Sequence, residues 1–203
     1  MARISKDPEV RRKEIVEAAM QLFREKGFAQ TAVSDIVRKV GVAQGTFYYY
    51  FKSKEEIVFA IIQLSVSAQA EKIESIADNN RMTARDKLTK VLGEEIYSPS
   101  QYKMYLDFLH QENNALHHQK LIVAKIHAFA PMIAQILQQG TEEGQFQVED
   151  PLEAAEFILT GMLFLFDQGI FQWTDSELRS KAKAVEKMIA KLLGVQLKFT
   201  KEP

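Results

Sequence analysis

Apolar residues recur at helical spacing along almost the whole chain, and no alternating strand pattern of useful length interrupts them. Ile15, Ala18, Ala19, Leu22 and Phe23 form a first stripe. Gly27 offers a C-cap after it, with Phe28 placed to fold back on the stripe. Val33, Ile36, Val37 and Val40 form a shorter second stripe, with Thr31 expected as its N-cap and Gly41 as its end. A third short segment runs from about Gln44 to Phe51, and Ser53 with Glu56 reads as a capping box that opens a long helix to about Ala77. Further helices are predicted over about 83–97, 101–115 and 119–139. Ser98-Pro99-Ser100 is a turn, and Pro131 is expected to kink the segment that contains it. Asp150-Pro151-Leu152-Glu153 starts another helix, and Thr174 with Glu177 caps the last. The expectation is an all-α chain of about nine helices, without internal repeats.

Two short helices joined by Gly41-Val42-Ala43 follow the helix-turn-helix plan, in which the second helix enters the DNA major groove. Phe47, Tyr50 and Phe51 are three and four apart and can anchor that helix on one face. Gln44, Thr46, Tyr48 and Tyr49 are then left facing outward. Two adjacent exposed tyrosines make sense where rings pack on sugars or thymine methyls and hydroxyls reach phosphates. Gly45 lets the backbone come close to DNA. Lys54 sits in the first turn of the next helix, where the helix dipole disfavours a cation by about 0.3–1 kcal/mol. A phosphate at that point reverses the sign, and Thr31 can serve in the same way.

The charge distribution supports this. The formal net charge is −1, yet residues 1–54 carry +5 and the remainder carries −6. A basic head and an acidic body suit an anionic partner for the head.

The stretch from Ile15 to Phe59 resembles the DNA-binding domain of the TetR family. The matching residues are Ile15-Val16-Glu17-Ala18-Ala19 with Leu22-Phe23, Lys26-Gly27-Phe28, Thr31 and Ile36. They continue through Gly41-Val42-Ala43 and Gly45-Thr46-Phe47-Tyr48-Tyr49-Tyr50-Phe51 to Lys54-Glu55. The resemblance implies an all-helical homodimer that represses transcription until a small molecule binds. It also implies DNA contacts from Thr31, Gln44, Gly45, Thr46, Tyr48, Tyr49, Tyr50 and Lys54. Family members often carry histidine where this chain has Tyr50, which puts the inward assignment of Tyr50 in doubt. Gln44 occupies a variable position and is the best candidate for direct base readout, since glutamine pairs bidentately with adenine.

A division into a DNA-binding domain over 8–68, with its recognition helix at about 44–50, and a helical ligand-binding and dimerisation domain over 69–203 follows from these patterns. The segment 157–171 is apolar nearly all round, which suggests burial on every side and a partner chain. Leu178, Ala182, Val185, Ile189 and Leu192 make a narrow seam on the last helix. The expected dimer interface is Leu159, Met162, Phe166, Leu178, Val185 and Ile189. Aromatic residues on the middle helices suit an apolar pocket, with Tyr97, Tyr105, Phe108 and Phe129 as its candidate lining.

No cysteine is present, so disulfides and cysteine-ligated metals are excluded. His117 and His118 point about 100° apart on a helix, and no acid pattern completes a site with His110. No metal and no cofactor is expected. No phosphate loop or catalytic constellation stands out, so the chain does not read as an enzyme. The apolar run 157–166 falls short of the roughly 20 residues of a membrane span, and no signal peptide is visible. The expected partners are double-stranded operator DNA, a second copy of the chain and an apolar or amphipathic effector, in the cytoplasm. The competing reading is a dimeric DNA-binding protein without an effector.

Overall fold

The computed structural model describes residues 7–96 and 114–197, and within them all regular structure is helical. The helices are α1 (Pro8–Lys26), α2 (Val33–Val40), α3 (Gln44–Tyr50), α4 (Lys54–Ala77) and α5 (Ala84–Lys90). After them come α6 (Ala115–Glu142), α7 (Pro151–Leu165), α8 (Gln168–Phe171) and α9 (Asp175–Leu192). A π-helical stretch, Val91–Ile96, continues α5. The helix expected over 101–115 and the pocket candidates Tyr97, Tyr105 and Phe108 lie outside the described residues, apart from Asn114 and Ala115.

The chain forms two compact units, 1–64 and 65–203. The larger unit is built on one apolar core. Ile73 of α4 and Leu88 of α5 contribute to it. So do Phe129, Ile133, Ile136 and Leu137 of α6, Ala155, Leu159 and Met162 of α7, and Ile189 of α9. Each fully buried leucine, isoleucine, phenylalanine or methionine among these is worth about 1.5–3 kcal/mol. Phe129 is fully buried in this core, so its phenyl ring serves packing first.

Lys87 is a buried cation that the core accommodates. It is 2% exposed, and its ammonium donates to Ala77 O, at the end of α4, and to Gln139 Oε1 of α6. A lysine at a helix C-terminus supplies donors to carbonyls that have no partner within the helix.

Several local expectations hold in the coordinates. Gly41 adopts the left-handed region (φ 74°) at the end of α2, Pro151 opens α7, and Thr174 and Glu177 form a reciprocal capping box. The helix α6 includes Pro131, which is exposed. Another expectation differs. The apolar stretch 157–171 is not one helix. It ends at Leu165, and Asp167 starts the separate turn α8 by accepting from Gly169 N and Ile170 N.

The expected dimer face also needs correction. Leu159, Met162 and Ile189 are 0%, 1% and 4% exposed and belong to the chain's own core. Phe166 and Val185 are half-buried against that core, and Leu178 is half-buried. The outward apolar residues lie one helical step away: Phe157 (74% exposed) and Phe164 on α7, and Met188 and Leu192 on α9. One described helix, α6, is long and apolar enough by composition to cross a membrane. Its residues Phe129, Ala130, Ile133, Ile136 and Leu137 are buried in the core of the larger unit.

Candidate nucleic-acid interface

The smaller unit is assembled on α1. Ile15, Val16, Ala19 and Phe23 are buried, and Phe28 folds back to meet Phe23 edge-on at 5.2 Å. Lys26 pairs with Asp35 of α2. Asp35 also accepts from Ala32 N at the start of α2. The Lys26 contact, and after it the Ala32 N–H, holds the Asp35 carboxyl below its ordinary pKa. Gly41 then reverses the chain into α3.

Within α3, Phe47 is fully buried and Phe51, just past its end, is 2% exposed. The two rings stand 6.1 Å apart, and the Arg12 guanidinium covers Phe51 at 5.0 Å. Phe47 and Phe51 therefore anchor the helix from one side. On the other side Gln44 and Gly45 are exposed, as are Tyr48 (52%) and Tyr49 (78%). Thr46 is half-buried. Tyr50 is neither fully inward nor free. It is half-buried, with its ring against the exposed Tyr49 ring at 4.9 Å. A methyl group built on Gly45 meets nothing within 4 Å, so no packing inside the unit requires glycine there.

Two expected contact residues have other duties. Thr31 is 1% exposed, and its hydroxyl donates to Gly27 O at 2.8 Å. The N-cap of α2 is Ala32, so Thr31 closes the end of α1 and its hydroxyl is turned away from any surface phosphate. Lys54 donates to Phe28 O at 2.6 Å and Thr31 O at 3.0 Å, and lies 4.1 Å over the Phe28 ring. It straps the start of α4 to the α1–α2 loop, a long-range role that its position in the chain did not reveal. Of the three ammonium protons, these two bonds leave one. Ser53 accepts from Glu56 N at 3.4 Å, while the Glu56 carboxylate returns to Lys52 N, one residue earlier than a strict capping box.

Residues 15–61, the span that builds this unit, match the family described as bacterial regulatory proteins, tetR family. Residues 100–188 match the tetracyclin repressor-like C-terminal domain. The chain belongs to the TetR family. It is 29% identical over 157 residues to the HTH-type transcriptional regulator YfiR of Bacillus subtilis (strain 168), covering 73% of this chain and 75% of that one. It is 23% identical over 182 residues to the fatty acid metabolism regulator protein of the same organism, covering 89% and 92%. A solved TetR-family regulator from Mesorhizobium loti MAFF303099 shares the fold, with a TM-score of 0.65 at 20% identity, covering 94% of this chain and 100% of that one.

As a TetR-family member the chain is a DNA-binding transcriptional regulator, and α2–α3 is its helix-turn-helix. Among the described residues no group of His, Asp and Glu is arranged to hold a metal ion, and His110 lies outside them.

Proposed function

We propose that the protein is a homodimeric repressor that grips a two-fold symmetric operator through α3 of each copy and is released by a small apolar or amphipathic molecule. The observation that carries this reading is the α3 surface, where Gln44, Gly45, Tyr48 and Tyr49 are solvent-exposed on a helix anchored by Phe47 and Phe51. Gln44 reads a base edge, and Thr46 and the tyrosines pack on the backbone and thymine methyls. Lys54 offers its remaining donor to a phosphate while holding its own loop in place. Repression places the protein in the cytoplasm, with the chromosome.

Dimerisation is supported by the outward face. Phe157, Gly161 and Phe164 are exposed at positions i, i+4 and i+7 of α7, and Ala184, Met188 and Leu192 follow one another every fourth residue on α9. Apolar stripes on two helices suit a four-helix contact with a second copy. The effector class is supported by the apolar body and by the relative that regulates fatty acid metabolism. Helix α4 carries Lys54 in the head and reaches Ala77 in the body, where Lys87 holds its last turn. A ligand that shifts that end of α4 weakens DNA binding, and by linkage DNA weakens the ligand by the same factor, for about 1–3 kcal/mol of coupling.

The test is operator selection followed by footprinting. Two half-sites related by a dyad, protected together and about one or more helical turns apart, are the expected result. Gln44→Ala should relax preference at one position of each half-site by about 1–3 kcal/mol. Protection of a single asymmetric site by a monomer contradicts the dimeric reading. A library of apolar and amphipathic compounds that never releases the operator leaves a DNA-binding dimer without an effector.

A further inference from the structure

The two exposed tyrosines of α3 are each met by the ring of an inner neighbour. Tyr48 stands edge-to-face with the fully buried Phe47, at 5.3 Å and 82°. Tyr49 stands edge-to-face with the half-buried Tyr50, at 4.9 Å and 89°. Successive residues of a helix point about 100° apart and do not face each other. Ring contact between such neighbours is therefore not given by adjacency. Each side chain must take the rotamer that turns it toward the other.

At 78% exposure, Tyr49 has few contacts to fix its ring. On a helix an aromatic side chain divides between two χ1 wells, near 180° and −60°. Ordering it against DNA costs the freedom that it keeps in the free protein. A neighbouring ring removes part of that cost beforehand. Aromatic rings have a negative face and a positive edge, so a perpendicular pair at this distance attracts. Tyr50 suits the task because it is partly covered by its own unit and so is less free to turn.

We propose that Tyr50 is a positioning residue, whose ring holds the exposed Tyr49 ring in the rotamer that packs against DNA. This rests on the reading that the outward face of α3 meets the operator. Tyr49 makes the contact, and Tyr50 sets where Tyr49 stands. Tyr50 then adds to operator affinity without touching the operator: its hydroxyl is dispensable and its flat ring is not.

The experiment uses the full chain and a DNA duplex that wild type selects from a random-sequence pool. Dissociation constants are measured at one fixed salt concentration for wild type, Tyr49→Ala, Tyr50→Phe, Tyr50→Leu and the Tyr49→Ala/Tyr50→Leu double mutant. Tyr50→Met, which also fills the space without a flat ring, is carried through the same cycle, so that the result does not depend on one variant folding. Y50F should bind within about twofold of wild type, and Y50L and Y50M about three- to tenfold more weakly. Y49A should lose at least as much. In the Y49A background Y50L or Y50M should add less than about a twofold loss, because the ring to be positioned is gone. A Y50F protein as weak as Y50L overturns the proposal, since the hydroxyl would then meet DNA itself. An equal loss from Y50L in both backgrounds also overturns it, since a role in the fold or a contact of its own needs no Tyr49. Full affinity in Y50L and Y50M, with Y49A still weak, removes the positioning role and leaves the DNA-facing reading of α3 intact. Full affinity in Y49A removes both, as does failure of wild type to select any duplex.

Discussion

Gly140→Ala destabilises the larger unit by about 3–5 kcal/mol, the scale of losing a buried phenyl ring from a core. On an exposed helix this substitution would stabilise by about 1 kcal/mol, because alanine is the better helix former. Here the sign reverses. A methyl group on Gly140 would stand 2.1 Å from Phe146 Cδ2 and 2.4 Å from Cε2. Phe146 is 3% exposed, so its ring has no open space to retreat into. Its backbone is held as well, because Gln145 N and Phe146 N both donate to Gly140 O, at 2.7 and 3.0 Å. The chain turns back at the end of α6 and lays Phe146 across the glycine. Against a typical total of about 5–15 kcal/mol, such a loss is large. Chemical denaturation measures it. The double mutant with Phe146→Ala should be little worse than Phe146→Ala alone, because the ring that clashes is gone. An unchanged midpoint for Gly140→Ala would mean that Phe146 does not cover this position.

Operator affinity falls by about a hundredfold or more in the double mutant Phe157→Arg/Phe164→Arg. Both side chains are exposed in the single chain, at 74% and 48%, so replacing them removes little from its core. On the outward face of α7 they would meet their own counterparts across a dyad, and arginines placed there repel one another and must be desolvated. The variant should sediment as a monomer with an unchanged helical signal. Each head then binds a half-site alone, without the effective concentration that a second head provides, which is worth about 10²–10⁴ in affinity. A variant that remains dimeric, or a monomer with wild-type operator affinity, contradicts the proposed use of this face.

Helix ends and the motif were legible because they depend on neighbours in sequence. Gly41 ends α2, Pro151 starts α7 and Thr174 pairs with Glu177, each through contacts within a few residues. Phe47 and Phe51 could be placed inward by spacing alone. What could not be read depends on contacts distant in sequence. Thr31 looked like a cap for the helix after it, yet its hydroxyl serves the helix before it, and a threonine at a junction fits both. Lys54 reaches back to Phe28 and Thr31, more than 20 residues away. On α7 the apolar residues surround the helix, so periodicity could not separate the core face of Leu159 and Met162 from the outward face of Phe157 and Phe164. The seam on α9 mixed Ala182 and Ile189, which are buried, with Leu192, which is exposed. Asp167 did carry a local sign of the break before α8, because aspartate is a preferred N-cap residue. The apolar run around it concealed that sign.

The central claim is that the outward face of α3 meets DNA, and Gly45→Ala tests it most directly. In the free protein the added methyl enters open space, and Gly45 has no positive φ to preserve. Alanine should therefore stabilise the head by about 0.5–1 kcal/mol. At a DNA surface the same methyl blocks close approach of the backbone. Melting temperature and operator affinity should thus move in opposite directions, with the melting point equal or higher and the affinity lower by about tenfold, the scale of one disrupted base contact. A Gly45→Ala protein that binds its operator as tightly as wild type would contradict the claim that this face of α3 lies against DNA.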